Sequence, residues 1–224
     1  MLSYFTNNAE MFNSMLRGTL TTLSIFFLTL IFAIPLALPV CLGRMSKIRI
    51  VSKITNLFLL VIRGTPLMLQ LLIIYFVPKL VAVKVFKTTI DWPSYVASIV
   101  AFSINYSAYF AEIYRSGINS IPKGQYEACK VLGYTNSQTF FKIVLPQAVK
   151  HIVPVMGNEV ITLVKDTSLV TILSVQELMF FAKSSSNRMV SFTPLLIAGI
   201  FYFLMNWVVS FAFKRIEKRL SYYN

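Results

Sequence analysis

Residues 18–43 read GTLTTLSIFFLTLIFAIPLALPVCLG, 26 consecutive positions without a charged side chain. About 20 predominantly apolar residues are enough to carry a helix across the hydrocarbon core of a bilayer. Working outward, 20 uncharged residues separate Asp91 from Glu112, and 25 separate Arg188 from Lys214. The segment 54–78, interrupted only by Arg63, predicts a fourth span. The segment 152–175 predicts a fifth, although it contains Glu159, Lys165 and Asp166. The expected fold class is therefore all-α: a polytopic membrane protein with five transmembrane helices. The spans fall at about 19–42, 54–78, 92–114, 152–175 and 194–213, within a single domain over 1–224. Residues 115–150 are the one long polar segment. Pro35 and Pro39 predict a kink in the first span, because proline removes a helix hydrogen bond. That span is too long for the apolar core of a signal peptide, and its basic residues follow it.

The composition supports this reading. The chain is 56% hydrophobic and 13% charged, with mean hydropathy +0.69. A soluble domain carries about 25% charged residues. A soluble globule is thereby disfavoured, and the apolar content rules out intrinsic disorder. The formal charge of +13 does not imply nucleic acid, because the basic residues lie between apolar runs and form no continuous exposed face. They act instead as a topology signal. An outer N-terminus leaves 13 Lys and Arg inside, from Arg44 to Lys53, Arg115 to Lys150 and Lys214 to Arg219, against six outside. The predicted C-terminus is therefore cytoplasmic, and the inner charges attract anionic membrane lipid. Trp92, Trp207, Tyr222 and Tyr223 suit interface anchors. Cys41 and Cys129 form no metal or disulfide pattern, and His151 stands alone at a span boundary. No paired histidines, GxSxG or HExxH occurs, so no enzyme active site is expected.

The polar segment reads RSGINSIPKGQYEACKVLGYTNSQTFFKIVLPQAVK from Arg115 to Lys150. Pro122 and Gly124 open a helix-compatible run, Gln125 to Leu132. Gly133 suits the position just past a helix end, where positive φ is common. Asn136 or Ser137 can cap a second short helix, and Pro146 is expected to end it. Val131, Leu132, Phe140, Phe141, Ile143 and Leu145 are too apolar for a free loop. Packing on the span ends and docking of a partner both account for them.

Glu127-Ala128-Cys129, then Gly133, then Ile143-Val144-Leu145-Pro146 resembles the EAA motif of ABC importer membrane subunits, with Cys129 in place of the second alanine. Arg63-Gly64-Thr65-Pro66-Leu67 followed by Gln70-Leu71 resembles a stretch typical of permeases for polar amino acids of the histidine, glutamine and arginine type. Lys165-Asp166-Thr167-Ser168-Leu169 and the run from Asn105 to Arg115 are similar to the same subfamily. The resemblance covers residues 18–220 and implies a type I ABC importer permease architecture. It also implies that the 115–150 segment is a cytoplasmic coupling helix seated in an ATPase subunit, with Glu127, Ala128, Gly133, Ile143, Leu145 and Pro146 at the contact. The implied partners are cytoplasmic ATP-binding subunits, a second permease subunit (a copy or a paralogue), an extracellular solute-binding protein and an amino acid substrate. The implied location is the bacterial cytoplasmic membrane. The chain has no GxxxxGK[ST] phosphate loop, so no cofactor is expected in it and ATP would be bound by the partner subunit.

Charges at bilayer depth are costly and normally face a bundle interior or wet cavity. Glu159 and Asp166 lie seven residues apart, two helical turns, with Thr162 between them on the same face. Asn158 and Lys165 form a neighbouring stripe. A substrate cavity accounts for this strip, and so does an internal network pairing the acids with Lys165, Arg63 or backbone. Two acids near a pathway favour a cationic amino acid; an amide or zwitterion stays open. Arg63 and Gln70, again seven apart, would share a helix face, with Arg63 either meeting a substrate carboxylate or tying the second span to Glu112. Asn105, Ser107 and Tyr109 can donate or accept hydrogen bonds at that depth, or act as packing glue between helices. An ATP-independent carrier would also use buried acids, but many carriers show inverted repeats and no clear repeat is evident here.

Overall fold

The structure, a computed structural model, describes residues 2–220; Tyr222 and Tyr223, expected interface anchors, lie outside the described residues. Every regular element described is helical: α1 (Leu2–Arg44), α2 (Arg49–Gly64), α3 (Leu67–Lys84), α4 (Ser94–Asn119), α5 (Lys123–Val131), α6 (Asn136–Thr139), α7 (Leu145–Asp166), α8 (Leu178–Met189) and α9 (Thr193–Leu220). A π-helical turn, Phe140–Val144, leads into α7, and a 3₁₀ segment, Thr167–Leu173, follows it.

Among the described residues, four helices are long and apolar enough to cross a membrane: Ala9–Arg44 of α1, α3, α4 and α9. At 22 residues α7 is long enough, about 33 Å at the helical rise, but Lys150, Glu159, Lys165 and Asp166 keep it from being apolar enough. Its direction is set by its neighbours. Ile152 packs at Gly117, and Tyr106 bonds Asp166, so α7 runs against α4. Ser24 bonds Tyr95 and Arg44 approaches Glu112, so α1 runs with α4. Gln70 meets Asn105 and Ile74 meets Trp92, so α3 runs against it. Phe213 lies on Gly157, and Tyr202 reaches Glu177 beyond the end of α7, so α9 runs against α7. The long helices thus alternate in direction.

The centre of the bundle is α4, whose Phe102, Tyr106, Phe110 and Ala111 are essentially inaccessible. By contrast α9 leaves Leu196, Phe203, Leu204 and Trp207 exposed. A water-soluble helix would hide such residues; here they match a lipid or a protein neighbour within the membrane.

Three local expectations need correction. The continuous helix expected over 54–78 is broken between Gly64 and Leu67. Pro66 has no N–H and drives the preceding residue out of the α region; Thr65 accordingly sits at φ −117°, ψ 149°. Arg63 and Gln70 therefore do not share one helix face. Pro146 ends no helix: it lies in the first turn of α7, where a missing N–H is harmless. The cap of α6 is Thr135, not Asn136 or Ser137, through a reciprocal capping box with Gln138. Pro35 and Pro39 lie inside α1, which remains a single helix.

Candidate functional site

The broken segment, α4 and α7 enclose a polar cavity of about 250 Å³. Its walls are Thr65 and Leu67 from the break, Asn105, Tyr106 and Tyr109 from α4, and Glu159, Thr162 and Asp166 from α7. The two-turn spacing read in the sequence does place both acids on one face. The Tyr106 hydroxyl donates to Asp166 Oδ2 at 2.7 Å. Among the described residues, no hydrogen bond or ion pair within 4 Å engages the Glu159 carboxylate, although the residue is only partly exposed. Arg63 acts on it only through space, and a half-buried carboxylate without a direct hydrogen bond is suited to an incoming cation.

The break itself is repaired by Gln70. In a continuous helix the Ile62 carbonyl would accept from the N–H of residue 66, which proline lacks. Gln70 Nε2 takes that place, donating to the Ile62 carbonyl at 2.7 Å and to Thr65 Oγ1 at 2.9 Å. Its Oε1 accepts from Asn105 Nδ2 at 2.9 Å. Gln70 thus stands behind the cavity wall and orients Asn105.

Arg63 lies beside the wall, with its guanidinium 5.3 Å from the centre of the Tyr109 ring. One turn along α4, Glu112 gathers three arginines. Arg115 is bound tightly at 2.8 Å; Arg44 and Arg63 lie at 3.6 and 3.9 Å from α1 and α2. Of the two roles open to Arg63, the tie to Glu112 is formed in this structure.

The remaining expected residues separate. Ser107 is buried and donates to the Ile104 carbonyl, away from the cavity. Asn158 is exposed, and its carbonyl accepts from Thr162. Tyr106 was missed in the sequence, although it stands three residues before Tyr109 on the same helix face. Glu177 was missed as well, because an isolated Glu in a polar connection carries no signal; it is completely buried.

At the other end of α4 the polar segment folds as α5, a glycine turn and α6. Gly133 has φ +78°, and its N–H and that of Tyr134 bond back to Lys130 and Cys129, which closes α5. The apolar residues here divide between packing and display. Val144 is inaccessible and packs with Ile121, Ala148 and Ile152, whereas Val131, Leu132 and Phe141 are 88%, 74% and 63% exposed. Glu127 and Ala128 are exposed on α5. Ile143, Leu145 and Pro146 line a groove of about 850 Å³ closed by Arg219 of α9.

A membrane bundle with an internal polar cavity and a protruding apolar helical segment defines the membrane subunit of a transport system. The family described as binding-protein-dependent transport system inner membrane component matches residues 30–222, and the chain belongs to it. It is 34% identical over 206 residues to a putative glutamine transport system permease of Rickettsia conorii, covering 91% of each chain. It is 36% identical over 208 residues to the arginine transport system permease of Bacillus subtilis, covering 92% of each. It is likewise 36% identical over 211 residues to the L-cystine transport system permease of the same organism, covering 92% of this chain and 86% of the relative. A solved amino acid ABC transporter crystallised with histidines superposes with TM-score 0.84 at 32% identity, over 96% of this chain and 98% of the other. The chain is thus an ABC importer permease in the inner membrane, not an enzyme, and ATP hydrolysis belongs to a separate subunit. The family implies ATP-binding, substrate-binding and second permease partners.

Proposed function

We propose that this chain lines the translocation pathway for a polar amino acid, with a cationic one favoured, and couples it to a separate ATPase. The observation that carries this reading is the shared cavity of Glu159, Thr162 and Asp166, in which Glu159 has no bonded partner among the described residues. On this reading Glu159 takes a substrate ammonium or guanidinium. Asp166, held by Tyr106, adds a second negative charge, and Asn105 and Thr162 supply neutral hydrogen-bonding groups. Gln70 shapes the wall, and Arg63 supports it through Tyr109 and Glu112. The relatives' substrates include glutamine and cystine as well as arginine, so it is the acid pair that tilts the choice.

The segment 123–146 is the ATPase contact: Glu127, Ala128 and the exposed Val131 and Leu132 form the ridge, Gly133 shapes the turn, and Ile143, Leu145 and Pro146 line the adjoining groove. ATP stays with the partner, and no cofactor is assigned to this chain. The N-terminus is outside and the C-terminus cytoplasmic, as the 13-to-6 distribution of basic residues supports. A second permease, a copy or a paralogue, completes the pathway, and an extracellular binding protein delivers the substrate.

The test is uptake into proteoliposomes holding the chain, its ATPase and its binding protein, with twenty unlabelled amino acids as competitors. Competition by arginine, lysine or histidine is expected. Glu159→Gln is expected to weaken uptake of a cationic substrate by roughly ten- to a hundredfold, since a charge-assisted contact is worth about 1.5–3 kcal/mol. Competition by glutamine or cystine alone would keep the importer and remove the cationic assignment. Uptake that ignores ATP would overturn the coupling.

A further inference from the structure

Glu177 is fully buried, yet its carboxylate meets five donors from four parts of the chain. The backbone N–H groups of Met179 and Phe180, in the first turn of α8, donate at 2.8 Å each. Thr171, in the 3₁₀ segment, donates to Oε1 at 2.6 Å. Tyr202 of α9 donates to Oε2 at 2.8 Å, and Thr22 of α1 reaches Oε2 at 3.4 Å with a proton it shares with the Gly18 carbonyl at 3.0 Å. Capping α8 requires only the two backbone contacts, and Ser, Thr, Asp or Asn is the usual choice for it. The three hydroxyls are beyond what a cap needs. A carboxylate only accepts hydrogen bonds, so it suits five donors and no other acceptor.

The segment it grips needs outside support. Thr167–Leu173 is seven residues of 3₁₀ helix, whereas such runs seldom exceed three or four because their hydrogen bonds are poorly aligned. Its end is marked by Ser174 in the left-handed region at φ +57°, unfavourable for a residue with a Cβ. That turn brings Glu177 back onto Thr171. Asp166, the last residue of α7 and a wall of the cavity, immediately precedes this run.

We propose that Glu177 is a positioning residue of the pathway: through Thr171 it fixes the 3₁₀ segment, and with it the presentation of Asp166 to the cavity, and it ties both to α8. This rests on the cavity being the substrate site. An alternative in which Glu177 merely stabilises the bundle treats its hydroxyl contacts as equivalent. The positioning role does not, because Thr171 and, through Tyr202, Thr167 belong to the segment that follows Asp166, whereas Thr22 belongs to α1.

Two readouts on the full transporter separate them: amide hydrogen exchange over residues 167–173 in the purified complex, and half-saturation for uptake of L-arginine and L-glutamine in proteoliposomes. Thr171→Val, close in shape to the native residue, and Glu177→Leu, which removes both acceptor oxygens, are expected to speed exchange over 167–173. Thr171→Val should also raise half-saturation by roughly tenfold, with the maximal rate little changed, as loss of one buried hydrogen bond allows, and Glu177→Leu should raise it by at least as much. Thr22→Val removes a contact to the same carboxylate from α1, outside the segment, and is expected to move neither. If all three variants behave alike, or if Thr171→Val leaves exchange at 167–173 unchanged, the positioning role is overturned. Wild-type complex that takes up neither of these nor L-lysine, L-histidine or L-cystine would instead sink the substrate reading, and the exchange data would still decide whether Thr171 and Glu177 hold the segment.

Discussion

Ile62 and Pro66 stand four apart, so a helix through both would orphan one carbonyl in the membrane, where no water replaces the lost donor. Gln70 fills that place and in doing so holds Asn105 at the cavity. Gln70→Leu keeps the size and removes these bonds together with the one to Thr65. It is expected to destabilise the purified complex by about 1–3 kcal/mol, the penalty for buried groups left unsatisfied, read as a lowered thermal midpoint. Pro66 carries the local signal for the break, but the span was read straight through it; the seven-residue phase joining Arg63 to Gln70 failed because that phase holds only within an unbroken helix. Glu159 and Asp166 kept their phase because α7 continues through both, and its internal Pro154 lies before them. Glu177 was illegible for a different reason. Its donors, Thr22, Thr171 and Tyr202, are distant in sequence or on other elements, and no local pattern joins them.

Among the elements, the segment 123–146 was the most legible, since its signals are short-range. Gly133 adopts positive φ as the turn requires, and Thr135 with Gln138 has the spacing of a capping box. The π-helical turn was not foreseen, and it lets the chain run from α6 into α7 past Pro146 without a stop. A substitution with a Cβ at Gly133 meets no neighbour within 4 Å, so its effect is conformational. Gly133→Asp is expected to introduce about 1–2 kcal/mol of local strain and to abolish uptake while the chain stays in the membrane. Parallel assays of membrane content and uptake check this; normal uptake would remove the turn from the coupling role.

On the scale of the molecule, alternation of the long helices places the ends of α1 and α4 together, near Arg44 and Arg115, and the start of α4 near Ser24. With Cys41 and Cys129 replaced by Ala, Lys87→Cys and Arg188→Cys are expected to react with an impermeant maleimide added to intact cells. Lys130→Cys should react only after permeabilisation. The reverse pattern would invert the proposed orientation. The sequence by itself determined the membrane class, the helical architecture, the shared face of Glu159 and Asp166 and the family, because apolar length, helical phase and short motifs are properties of neighbouring residues. Only the tertiary structure decided which polar residues meet. It put Tyr106 on Asp166, Gln70 on the carbonyl that Pro66 leaves open, three arginines on Glu112 and five donors on Glu177. Those partners come from helices whose separation in sequence says nothing of their distance in space, and burial makes each unsatisfied group costly enough to fix the arrangement.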